Sequence, residues 1–341
     1  MARKTKMNHG LTSPEKLSQV NKENMQLKAD FLDYLRSIKR SPLTIRGYEN
    51  DLDIFFCWVL DNAANKPFVD VSKRELVRFQ NWLSCDNENS ASRVRRIKSA
   101  ISSLSNYVES VLDTEEGYEN FRSIIRKIES PALQAVREKT VLTDEQVTQL
   151  LDTLVDGGKF EKACAVALAM FSGRRKAELA RFRVSDFDEE RIVCDGALYK
   201  SAPIQTKGHS LGKYISCYTL VKDFKPYLDL WMKYREERGI ESEWLLPDPQ
   251  DSTKQISIST MNSWAESFTK ILGVDFYWHC ARHRYTTYLV RAGIPDGVIA
   301  DIVGWASTDL VKTYTDIDAD EQIGAFFKNG EICVEKKDSI F

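Results

Sequence analysis

The sequence predicts a mainly α-helical protein of two domains with one small antiparallel β-sheet, on three observations. Apolar residues recur at three- and four-residue spacing over most of the chain. One stretch, 190–220, instead carries short β-prone runs punctuated by Gly and Asp. The length, 341 residues, is room for about two domains at ~100–200 residues each. A composition 43% hydrophobic and 29% charged argues against wholesale disorder. No apolar run approaches the ~20 residues that span a bilayer, which argues against a membrane protein. No apolar core follows the basic start Met1-Ala-Arg-Lys-Thr-Lys, so a signal peptide is not expected. Seven scattered cysteines without a Cys-x-x-Cys pair imply reduced thiols, a cytosolic compartment and no zinc site.

Each element follows in order. Residues 1–24 are polar and mixed in charge, and read as a flexible tail. A helical domain is expected over 25–130. Its first helix carries Phe31, Leu32, Leu35 and Ile38 on one face. The next starts at Ser41-Pro42, a capping residue followed by a proline preset for the first helical turn, and buries Ile45, Tyr48, Leu52, Phe55 and Phe56. A third fits 72–84, where Ser72 and Glu75 make a capping box. A fourth fits 91–112, with Val94, Ile97, Ile101, Leu104 and Val108 inward. Residues 131–140 lack apolar periodicity and read as a linker. The second domain is expected over 141–330. It opens with a Thr143/Gln146 cap on a helix to about Leu154, followed by an Ala-rich buried helix at 160–170. The β-prone runs at 191–194, 203–206 and 213–218 predict the sheet, and 221–327 is helical again, before a tail at 331–341.

Net charge is −2, divided as +4 over residues 1–140 and −6 over the rest, so totals alone say little about nucleic acid. Gly208-His-Ser-Leu-Gly212-Lys213 echoes a phosphate loop but has three residues between its glycines and Tyr214 after the lysine, so a hairpin turn is the reading. Arg175 and Glu178 lie three apart after Gly173 breaks the Ala-rich helix. An arginine at a helix N-terminus opposes the macrodipole, which an anionic partner would relieve; taken alone, the pair reads as a solvated basic face. His279 and Arg282 share a helix face and suit phosphate oxygens, or are ordinary surface charge. Trp305 and Tyr314, nine apart, taken alone are core aromatics.

Taken in order, these pieces resemble the tyrosine recombinase (phage integrase) family: Gly-x-Arg-x-x-Glu-Leu at 173–179, a hairpin lysine, His-x-x-Arg at 279–282, Gly304-Trp305, then Tyr314. Ser41, Pro42, Thr44 and Tyr48 resemble the entry of that family's core-binding domain. A Cre-like or Xer-like site-specific recombinase is implied, with Trp305 and Arg291-Ala-Gly293 leaning toward Cre-like members.

The resemblance implies a two-domain, C-shaped DNA clamp and a 3′-phosphotyrosyl intermediate, without metal or ATP. It gives Tyr314 as nucleophile, Arg175 and Arg282 as phosphate holders, His279 as phosphate ligand and proton acceptor, and Trp305 beside them. Glu178 supports Arg175 or His279. Lys207 is the choice for general acid, because a turn glycine follows it, with Lys213 and Lys200 as alternatives. Arg93, Arg95, Arg96 and Lys98 on one helix, and Lys39, Arg40 and Arg46 near another, are expected to meet DNA. Implied partners are duplex DNA bearing a recombination site and a homo-tetramer on two such sites, joined through a short apolar helix with Ile323, Phe326 and Phe327, with accessory proteins as further partners. A cytoplasmic, nucleoid-associated enzyme follows. A non-cutting DNA binder and a type IB topoisomerase are the competing readings.

Overall fold

A computed structural model describes residues 11–132, 140–206, 213–305, 307–314, 327–328 and 331–332, of which 312–314, 327–328 and 331–332 are described by their backbone alone. The chain divides into two compact units, one holding the described residues up to 132 and the other those from 140 onward.

The first unit is helical. Residues expected as tail instead carry helix α1 (Pro14–Gln19), capped by the Ser13 hydroxyl, and the start of α2 (Lys22–Ser37), capped by Asn21. Lys16 pairs with Asp61 and Val20 is buried, so this segment is part of the domain. Helix α3 (Pro42–Asn62) begins where Ser41 Oγ accepts from Thr44 N at 3.1 Å. The Ser72/Glu75 capping box opens α4 (Lys73–Asn81). This helix ends three residues short of the expected 84, because the chain widens into a π-helical turn over Trp82–Asp86. Helix α5 (Ala91–Val111) buries the five residues expected inward. Phe31, Leu52, Phe55, Phe56 and Phe79 fill the space between these helices, with the Phe55 and Phe79 rings 5.1 Å apart edge to face.

The second unit is built around α7 (Phe160–Ser172), buried from Ala163 to Met170. A helix apolar on all sides belongs inside a domain, and α6 (Asp144–Asp156), opened by its Thr143/Gln146 capping box, packs against it. The short α8 (Lys176–Leu179) follows. The sheet is two pieces rather than one. Strands β1 (Ile192–Val193), β2 (Leu198–Lys200) and β5 (Tyr218–Leu220) form one antiparallel sheet, and β3 (Ile204–Thr206) and β4 (Lys213–Ile215) a separate hairpin in which Thr206 pairs with Lys213. Helices α9 (Val221–Arg238), α10 (Ile258–Leu272), α11 (Trp278–Arg291), α12 (Asp296–Val303) and α13 (Asp309–Tyr314) complete the unit.

The helical pattern expected over 221–327 breaks twice. Between α9 and α10 the chain makes isolated bridges Arg183–Trp244 and Pro247–Gln255. Phe327, expected in a short helix, lies in strand β6 (Phe327–Lys328), which pairs with β7 (Glu331–Ile332) inside the segment expected as part of a tail. Ile323 and Phe326 lie outside the described residues. Among the described residues no helix is long and apolar enough to cross a membrane.

Candidate active site

The site begins where α7 stops. Gly173 has φ +61°, and a Cβ there would fall 2.4 Å from Tyr285 Cδ1, so only glycine serves this left-handed cap against α11. The turn sends two consecutive arginines in different directions. Arg174 is fully buried and donates to Ile302 O at 2.5 Å, Val303 O at 3.3 Å and Ser216 O at 3.3 Å. Arg175 caps α8 with its side chain 31% exposed. Its Nη1 donates to Glu178 Oε1 at 3.0 Å, and its backbone N–H to Glu178 Oε2 at 3.1 Å.

Glu178 is 1% exposed and receives a third bond, from Thr206 Oγ1 at 2.6 Å. Burial alone would raise its carboxyl; the Thr206 hydroxyl, the Arg175 and Arg174 guanidiniums and the Arg175 N–H outweigh burial and hold it below the usual range.

Helix α11 supplies the other half. Arg282 is fully buried, donating from Nη1 to Gly173 O at 3.2 Å and from Nη2 to Val303 O at 3.0 Å, with its guanidinium carbon 5.0 Å from the centre of the Trp305 ring. This is a cation–π contact. One turn earlier, His279 is half-buried, its ring edge-on to His283 at 5.5 Å. Burial, then the positive surroundings of His283, Arg282 and Arg175, push its pKa down to about 4 against the pull of Glu178. The imidazole is therefore neutral at pH 7, with one ring nitrogen a hydrogen-bond donor and the other an acceptor.

Gly304 ends α12 with φ +76°, and a Cβ there would meet Ile215 at 2.3 Å and Arg174 Nη1 at 3.0 Å. This tight turn seats Trp305 in a small core with Tyr285, Leu289, Ile299, Val303 and Val311. Val311 anchors α13, the helix that ends at Tyr314. The side chain of Tyr314 lies outside what is described.

Arg175, Glu178, His279, Arg282 and Trp305, over a hundred residues apart in sequence, thus gather around the Gly173 turn. Lys207 lies outside the described residues. Lys213 stands at the mouth of the hairpin, and Lys200 lies in β2 over the Tyr218 ring at 5.9 Å. Two residues without an assigned role emerge. Arg174 gave no sequence signal, being one of three consecutive basic residues. Thr206 did give one: it shares the inward register of Ile204 in a three-residue strand. Among the described residues no cluster of three or more His, Cys, Asp or Glu is placed to hold a metal.

In the first unit the basic residues divide. Lys39, Arg40, Arg46 and Arg96 are exposed. Arg93 and Arg96 both pair with buried Asp51, at 2.5 and 3.2 Å. Arg95 Nε donates to Pro131 O at 2.9 Å. Lys98 corrects the expectation of a DNA contact. It is buried, and its ammonium donates to Ile128 O, Glu129 O and Ser130 Oγ at 2.8, 3.2 and 2.9 Å.

Comparison with known proteins gives the family of the chain. Residues 140–321 match the phage integrase family, and residues 29–110 match its N-terminal SAM-like domain. The SPbeta prophage-derived recombinase-like protein YomM of Bacillus subtilis is 29% identical over 80% of each chain. Tyrosine recombinase XerS of Streptococcus gordonii is 24% identical over 92% of this chain and 98% of its own. Among solved structures, XerH bound to a palindromic difH substrate superposes with a TM-score of 0.65 at 18% identity, covering 91% of this chain and 85% of its own. A lambda integrase tetramer on a Holliday junction gives 0.61 at 14% identity, covering 86% and 77%.

Proposed function

The chain belongs to the phage integrase family as a tyrosine recombinase, a site-specific DNA recombination enzyme, and from that premise we propose how its own residues carry the reaction. Tyr314 Oη attacks the scissile phosphorus. A 3′-phosphotyrosyl bond forms, the bond to the 5′-oxygen breaks, and that oxygen leaves with a proton. Attack by another strand's 5′-hydroxyl reverses the step and restores the tyrosine. The bond energy is conserved, so the exchange is read as independent of ATP, and guanidinium charge as taking the place of a metal clamp.

Arg175 and Arg282 hold the non-bridging oxygens and offset the charge that grows in the transition state. Neutral His279 bonds the phosphate and is available for the tyrosine proton. Trp305 cannot accept a proton, since its indole nitrogen only donates, so its part is to pack against Arg282. Glu178 orients Arg175. Lys207 protonates the leaving oxygen, with Lys213 and Lys200 as the other hairpin candidates. Both domains meet duplex DNA at a recombination site, in the cytoplasm, through exposed residues such as Lys39, Arg40 and Arg46. Four copies act on two sites through the C-terminal segment, with accessory proteins as further partners; the lambda integrase neighbour's tetramer supports that assembly.

The observation that carries this reading is the pair of arginines on either side of one glycine turn: Arg175 bound to Glu178, and Arg282 bonded to Gly173 O and lying under Trp305. Covalent capture tests it. Labelled DNA from the flanks of the protein's own gene is incubated with the protein and denatured in detergent. Protein-linked label is expected from the wild type and not from Tyr314→Phe. Label from both overturns Tyr314 as nucleophile; label from neither, with DNA still retarded, favours a binder that does not cut.

A further inference from the structure

The hairpin reaches the catalytic arginine through one hydroxyl. Thr206 is 6% exposed, and its Oγ1 donates to Glu178 Oε1 at 2.6 Å while accepting from Arg175 Nη1 at 3.5 Å. Arg175 Nη1 also donates to the same Oε1 at 3.0 Å. Hydroxyl, carboxylate and guanidinium therefore close a ring across β3 and α8. The terminal torsion of a glutamate is broad and weakly restrained by itself. A bond from a β-branched residue on a strand, stiff at χ1, removes that freedom. The carboxylate then offers one fixed oxygen to a long side chain that would otherwise sample many rotamers. Resting on the recombinase reading above, we infer that Thr206 is a positioning residue for Arg175, acting through Glu178 to aim the guanidinium at the scissile phosphate.

Two variants separate the hydroxyl from the packing. Thr206→Val keeps the shape and loses the hydroxyl; Thr206→Ser keeps the hydroxyl. Each is assayed for single-turnover formation of the covalent complex on duplex DNA from the flanks of the protein's own gene, trimmed to the segment on which the wild type is captured. One substrate has an ordinary phosphodiester. A second has a methylphosphonate at the scissile position, which lacks one negative charge and so asks less of the guanidinium. Loss of a hydrogen bond to a charged group predicts a slowing of about ten- to a hundredfold for Thr206→Val on the phosphodiester, with DNA retention unchanged. Thr206→Ser should lie within about threefold of wild type, and the valine deficit should shrink on the methylphosphonate.

Wild-type speed in Thr206→Val, equal slowing of both variants, or a deficit of the same size on both linkages overturns the inference. The last result would mean that Thr206 only tethers the hairpin. Absence of any Tyr314-dependent complex from the wild type would instead remove the recombinase reading on which the inference stands.

Discussion

Two groups of basic residues in this chain meet different ends. Around the Gly173 turn, Arg175 and Arg282 arrive from segments 107 positions apart and face one another's surroundings. Along α5, four basic residues within six positions scatter: Arg93 and Arg96 to Asp51, Arg95 to Pro131 O, Lys98 into the core edge. The difference lies in helical geometry. Lys98 follows Val94 by four and precedes Ile101 by three, which puts it beside the buried stripe. A long apolar stem tolerates that position, provided the ammonium finds acceptors. A local run of charge therefore does not make a surface, whereas an ordered set of dissimilar residues over 140 positions is a far narrower coincidence.

Arg282 sharpens the contrast, since it is a buried cation read as both a structural and a catalytic group. Arg282→Ala should lower single-turnover cleavage by a factor on the order of 10³ and unfolding stability by about 2–4 kcal/mol, because Gly173 O and Val303 O lose a donor. Urea melts beside the cleavage assay would check this, and an unchanged melt would break the structural half.

Lys98→Met is the next largest effect and has the opposite character. Stranding the acceptors at Ile128, Glu129 and Ser130 should cost about 2 kcal/mol. Its affinity for duplex DNA, and the salt dependence of that affinity, should match wild type. A shallower salt slope would return Lys98 to the DNA-facing set. Arg46→Ala should do the reverse. Stability should stay within about 0.5 kcal/mol, while the slope of log affinity against log salt should lose about 0.9.

The smallest effect is a titration. His279 has its pKa lowered from 6.5 to about 4 in the folded protein. Below 6.5 the unfolded chain takes up this proton before the folded one does. The stability linked to His279 is thus complete above about pH 6.5 and is lost as pH falls toward 4. NMR titration of the His279 ring should show the low midpoint in free protein, moving upward in Tyr314→Phe bound to DNA, where a phosphate faces the ring. A free-protein midpoint near 6.5 would mean that the ring is solvated rather than packed among cations.

Much of this was legible one residue at a time. Ser41, Ser72 and Thr143 mark helix starts because their hydroxyls satisfy first-turn N–H groups, a local need that a few neighbours settle. The split of the sheet into two pieces was not legible, since the β-prone runs at 191–194, 203–206 and 213–218 look alike in sequence. Nor was the helix at Pro14–Gln19, whose polar residues are held by long-range partners such as Asp61.

The sequence by itself determined the order and chemistry of the proposed catalytic set: which residue can attack, which can hold an oxyanion and which can only donate. Those properties belong to side chains and do not depend on context. Only tertiary structure decided which of two adjacent arginines is buried against backbone carbonyls and which stays partly exposed beside a carboxylate. That choice is made by the left-handed turn at Gly173, by Glu178 one helical turn on, and by Thr206 from a strand 31 positions away. Burial turns a charge into a structural element when acceptors surround it, and which acceptors surround it is a property of the packed chain.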